Sequence, residues 1–129
     1  LPHFGGLVVR YGIFFAAIFA ALAVLIGAFA AHGLKSILSA ESLAVMQTGV
    51  LYQFIHNLAL LLVAVLAQSM PSRALLYASW FFIAGIVLFS GSLYVLVLTP
   101  FTPGLITPIG GSLLVLGWLS LACSAKRAQ

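Results

Sequence analysis

Acidic side chains are almost missing, because Glu41 is the only Asp or Glu among 129 residues. That absence removes any chemistry built on paired carboxylates. Charge of either sign is scarce: five Lys and Arg with that one acid make 5% of the chain, against about 25% in an average soluble domain. With 64% hydrophobic residues and a mean hydropathy of +1.29, so few charges cannot cover a water-facing surface, and a soluble globular domain is excluded. A single cysteine, Cys123, excludes an intramolecular disulfide and any cysteine cluster for zinc or iron–sulfur. The net charge of +4 is scattered among apolar runs over Arg10, Lys35, Arg73, Lys126 and Arg127. No basic patch for nucleic acid exists there.

What is present is apolar length. A helix needs about 20 apolar residues to cross about 30 Å of hydrocarbon, so the chain accommodates four crossings in a single transmembrane domain over 1–129. The predicted fold class is an all-α membrane protein, a four-transmembrane-helix bundle. Span one covers 7–31 and ends at His32-Gly33-Leu34-Lys35, where glycine and lysine suit a helix C-terminus. Ala28-Phe29-Ala30 has the form of a signal-peptidase site, but the run before it is too long for a signal peptide, so a retained helix is expected. Ser39 is a candidate N-cap with Glu41 in the first turn, and span two follows over 43–67. Gln68 to Arg73 contains Pro71 and forms a loop before span three, 74–98. Thr107-Pro108 supplies a cap and a first-turn proline for span four, 106–123. Arg10, Arg73, Lys126 and Arg127 fall on one side of such a bundle and Lys35 on the other, which predicts cytoplasmic termini.

Two helix faces stand out. In span one, Gly12, Ala16, Ala20, Ala23, Gly27 and Ala31 draw a stripe of small residues suited to close helix packing within the bundle. Gly85 with Ser92, and Gly110 with Gly117, repeat the theme in spans three and four. Span two is unusual: Gly49, Tyr52, Gln53, His56 and Asn57 fall within an arc of about 140°, opposite Leu51, Phe54, Ile55, Leu58 and Leu62. Polar groups in hydrocarbon need partners, so that face points into the bundle, a cavity or another subunit. Counting about 1.5 Å per residue puts Gln47 to Gln53 in the outer leaflet and His56 near the midplane, with Ser90, Ser92 and Tyr94 of span three at outer depth. Thr107 and His32 lie at the same end. The expected site is an outward-facing polar pocket formed by Tyr52, Gln53, His56, Asn57, Ser90, Ser92, Tyr94 and His32.

These residues also form an ordered pattern: Gly27-Ala28-Phe29-Ala30-Ala31-His32-Gly33-Leu34, Thr48-Gly49-Val50-Leu51-Tyr52-Gln53 with His56, Phe89-Ser90-Gly91-Ser92-Leu93-Tyr94, and Thr107-Pro108-Ile109-Gly110-Gly111 before Gly117-Trp118. Together they resemble domain-of-unknown-function family 423, the small YgdD-like bacterial inner-membrane proteins, to which animal transmembrane protein 256 is similar. The resemblance spans nearly the whole chain. Ala30 departs from it, standing where the family pattern has glycine. It implies a four-span inner-membrane protein with no established activity.

Catalysis is not expected. An exporter of the small multidrug-resistance type needs an intramembrane acid, and Glu41 falls at the outer interface. His56 is the one group there that could carry a proton in its place. Ser90 and His56 differ in depth, with nothing to orient the imidazole. His32 and His56 are separated by about 15 Å in depth, too far to share a haem iron, so no cofactor or metal is expected. Two readings of function remain. In one, the pocket binds a lipid, quinone or other small amphiphile, with Tyr52 and Tyr94 as walls. In the other, the protein is an assembly or accessory subunit whose polar and small-residue faces dock onto a second copy or another membrane protein. The expected partners are thus the bilayer, a lipid or quinone-like ligand, and a homo-oligomer or membrane-protein partner.

Overall fold

The computed structural model describes residues 2–127, with side chains over 5–126. Four helices follow one another: α1 (Pro2–His32), α2 (Ala40–Ser69), α3 (Arg73–Leu98) and α4 (Ile106–Ser124), closed by a 3-10 turn at Ala125–Arg127. All four are long and apolar enough to cross a membrane. Ala128 and Gln129, the end of the expected tail, lie outside the described residues.

Local chemistry sets most of the boundaries. The Ser39 hydroxyl accepts from Ser42 N at 3.1 Å, so α2 begins at Ala40, three residues before the apolar run. Ser72 does the same for α3, accepting from Leu75 N at 3.2 Å. The expected cap at Thr107 is not formed. Instead α4 starts at Ile106 with Leu105 before it and no side-chain cap, because the Thr107 hydroxyl is engaged by Ser92 of α3. Pro108 still falls in the first turn, where its missing N–H costs nothing. The α3–α4 connection turns at Gly104, whose φ of 62° is a conformation that favours glycine. α1 starts earlier than its apolar run suggests. Gly5 lies so close to Pro71 that a Cβ there would stand 2.8 Å from the proline Cβ, and this contact extends the helix past the membrane run.

Packing runs α1 on α2, α2 on α3 and α3 on α4. α1 touches α3 sparsely, and α1 and α4 form no packed interface among the described residues. The small-residue stripe of α1 faces α2 over most of its length: Gly12, Ala16 and Ala23 are buried, while Ala20 and Gly27 are half-buried and Ala31 is exposed. A Cβ on Gly12 would stand 2.9 Å from that of Ala64, and one on Gly27 would meet Val50 at 3.3 Å. Ala30, the departure from the family pattern, is itself closely packed in a small cluster with Leu34 and Met46. The α3–α4 seam is tighter still. A Cβ on Gly85 would press into Leu114, and one on Gly110 would overlap the α3 backbone at Leu88 and Phe89. The main core lies between these seams, around Leu60, Val63, Leu75, Ala78, Phe82 and Ile86.

One end of this antiparallel stack carries Arg10, Arg73 and Lys126. The other carries Lys35 and Glu41.

Candidate functional site

The polar face of α2 turns inward, as the cost of bare polar groups in hydrocarbon demands. Gln53, nearly central in α2, joins three helices. Its amide donates to the Phe19 carbonyl of α1 at 2.7 Å, and its carbonyl accepts from the Tyr94 hydroxyl of α3 at 2.7 Å. One turn earlier, Gly49 has no side chain, so the Tyr94 ring packs close against the α2 backbone and the Ser90 hydroxyl donates to the Gly49 carbonyl at 2.7 Å. Ser92 points the other way, sharing a hydrogen bond with Thr107 of α4 and donating to Phe89 O. Thr48, exposed, bonds back to Ala44 O in its own helix.

The eight residues expected around one pocket therefore divide into separate groups. Gln53, Ser90, Ser92 and Tyr94 are occupied in holding helices together. His32 is exposed at the end of α1, about 18 Å along the bundle from His56. Asn57 is buried, with 1% of its surface exposed, and both its side-chain oxygen and nitrogen lack a partner. Tyr52 and His56 face a cluster that the polarity of α2 did not reveal.

That cluster is aromatic. The His56 ring lies 5.8 Å from Tyr52, 5.9 Å from Phe82 of α3 and 5.8 Å from Trp118 of α4. Tyr52 in turn packs on Phe89 at 4.8 Å, and Phe82 on Trp118 edge to face at 5.2 Å. Gly117 makes this arrangement possible, since a Cβ there would come within 2.6 Å of the Phe82 ring. Phe82 is the closed floor, while Tyr52 and Trp118 are 39% and 42% exposed and form a rim facing lipid. His56 keeps 6% of its surface exposed between them.

The imidazole has a defined polarity. Its Nδ1 sits 2.7 Å from the Tyr52 carbonyl, an oxygen that only accepts, so Nδ1 carries the proton and Nε2 in the neutral ring is left an acceptor. Nε2 has no hydrogen-bond partner among the described residues, and the only fully enclosed unpartnered side-chain N and O atoms there are those of Asn57. The site thus offers one acceptor, framed by rings, at about the middle of the bilayer. Tyr52 and His56 are neighbours by their i, i+4 spacing. Phe82 and Phe89, seven apart on α3, carry a signal of shared face that was available but indistinguishable from ordinary core.

Helices of this length and an interior polar clasp define a small polytopic membrane protein. The chain belongs to the family described as Protein of unknown function (DUF423), which matches residues 26–111. It is 44% identical over 113 residues to the UPF0382 membrane protein YwdK of Bacillus subtilis, covering 86% of this chain and 92% of that one. To the UPF0382 inner membrane protein YgdD of Escherichia coli it is 40% identical over 121 residues, 93% and 92% of the two chains. A Staphylococcus aureus relative, UPF0382 membrane protein SAB0533, is 47% identical over 103 residues, 79% of this chain and 84% of its own. These names state a membrane location and no activity. No solved structure shows significant similarity.

Proposed function

We propose that the protein is a non-catalytic binding protein that holds a small ring-bearing amphiphile at the aromatic site around His56. The observation that carries this reading is the His56 imidazole itself, with Nδ1 committed to the Tyr52 carbonyl and Nε2 unpartnered inside an aromatic frame. An acceptor in hydrocarbon is best matched by a hydroxyl donor, and flanking rings favour a planar partner. Hydroxylated rings meet both conditions. A reduced quinone, with two phenolic O–H groups, fits better than the oxidised form, whose carbonyls only accept. Tyr52 and Trp118 form the rim through which such a molecule enters from the lipid.

Native mass spectrometry of the full chain in mild detergent, with decylubiquinol as probe, tests the reading. The wild type is expected to retain one decylubiquinol, and His56→Phe, which keeps the ring and removes the acceptor, to weaken retention about tenfold, the usual worth of one buried hydrogen bond. Oxidised decylubiquinone is expected to bind more weakly than the quinol. Equal retention by wild type and His56→Phe removes the proposal.

A further inference from the structure

A second site lies at the other side of the molecule, where α1 meets the α2–α3 turn. Gly5, Gly6, Val9 and Arg10 of α1, with Ala67, Gln68 and Pro71, enclose an open hollow of about 560 Å³. The contact of Gly5 with Pro71 fixes its floor. Two side chains give it chemistry, the Arg10 guanidinium and the Gln68 amide, and together they present N–H donors without any carboxylate.

Arg10 has no acid to pair with on this chain. Glu41 is the only one, and it begins α2, while the hollow lies against the last turn of that helix, about 40 Å away. Arg10 is about 14 Å from the middle of the apolar run of α1, so its Cα lies at the edge of the hydrocarbon and its side chain reaches outward at headgroup depth. Its one described aromatic contact, the Tyr11 ring at 5.9 Å, leaves the charge uncompensated. No counter-anion lies beside it among the described residues, and the nearest source at that depth is the lipid headgroups.

We infer that this hollow is a headgroup site for an anionic phospholipid, whose phosphate accepts from Arg10 and Gln68 while its chains run along the apolar wall at Val9 and Ala67. The planar guanidinium forks onto phosphate oxygens, and Gly6, where a Cβ would meet nothing within 4 Å, leaves the room the phosphate fills. A zwitterionic lipid brings its own cation to the phosphate and fits less well. The site is independent of the aromatic cluster at His56.

The test is competitive lipid retention by the full chain in neutral detergent, offered equal amounts of dioleoyl phosphatidylglycerol and dioleoyl phosphatidylcholine and read by native mass spectrometry. The wild type is expected to keep one phosphatidylglycerol in preference to phosphatidylcholine by about tenfold, the worth of one charge-assisted pair. Arg10→Gln removes the charge and Gly6→Leu fills the hollow with the charge intact; both are expected to abolish the preference. Arg73→Gln, at the same end but outside the hollow, is expected to keep it. The proposal is overturned if Gly6→Leu retains the preference, if Arg73→Gln loses it as Arg10→Gln does, or if excess inorganic phosphate displaces the lipid.

Discussion

Asn57 is the residue that pulls hardest against its surroundings. A carboxamide enclosed among apolar helices with neither oxygen nor nitrogen bonded carries the desolvation cost of a polar group and none of the return. Valine, nearer to asparagine in volume than leucine is, removes that cost without overfilling the site, so Asn57→Val is expected to raise thermal stability by about 1–3 kcal/mol, read as a higher unfolding midpoint in detergent. A lower midpoint would mean that the amide is bonded in the bilayer. Gln53 shows the opposite case on the same face, with both ends of its amide engaged across three helices. The sequence placed Gln53, His56 and Asn57 side by side as polar residues of one arc, and nothing in residue type distinguishes a clasp, an acceptor held open and an orphan. Only the partners do. Those partners are a backbone carbonyl at Phe19 and rings at Phe82 and Trp118, groups that carry no polar signature along the chain.

At the scale of helices, the number and order of spans were legible because runs of apolar residues near 20 long have no other stable use in so uncharged a chain. Boundaries were legible where a hydroxyl caps a helix, as at Ser39, and not where a tertiary contact decides. Thr107 looks like a cap, but Ser92 claims its hydroxyl. The apolar run puts the start of span one at residue 7, but α1 begins earlier, where Gly5 rests on Pro71. The α3–α4 seam depends on glycine at one place above all. A methyl at Gly110 meets α3 backbone, which cannot turn aside as a side chain can, so Gly110→Ala is expected to cost about 1–3 kcal/mol. Its neighbour supplies the comparison, since at Gly111 a Cβ stands at an ordinary 3.5 Å from the Phe89 ring. Gly111→Ala is expected to unfold at the wild-type midpoint or slightly above it, because alanine is the better helix former, and an equal loss in both variants would show that contact with the α3 backbone is not what sets the cost at Gly110.

For the whole molecule, we propose that both termini are cytoplasmic, on the count of cations at the two ends. In a Cys123→Ser background, Ser36→Cys in the exposed α1–α2 turn is expected to react with a membrane-impermeant maleimide added to intact spheroplasts. Ser69→Cys, at the end of α2, is expected to react only after permeabilisation. The reverse pattern would invert the topology without altering the fold.

The same arrangement of charge has an electrical meaning. Arg10, Arg73 and Lys126 stand at one end, and at the other Lys35 and Glu41 cancel. With Arg127 beside Lys126 at the cationic end, the two ways of inserting the bundle differ by four elementary charges across the membrane, or about 9 kcal/mol for each 100 mV of potential. In an energised cell whose interior is negative, the voltage itself favours the proposed orientation, with the cationic end inside. A chain with almost no acid is a chain that the resting membrane keeps upright.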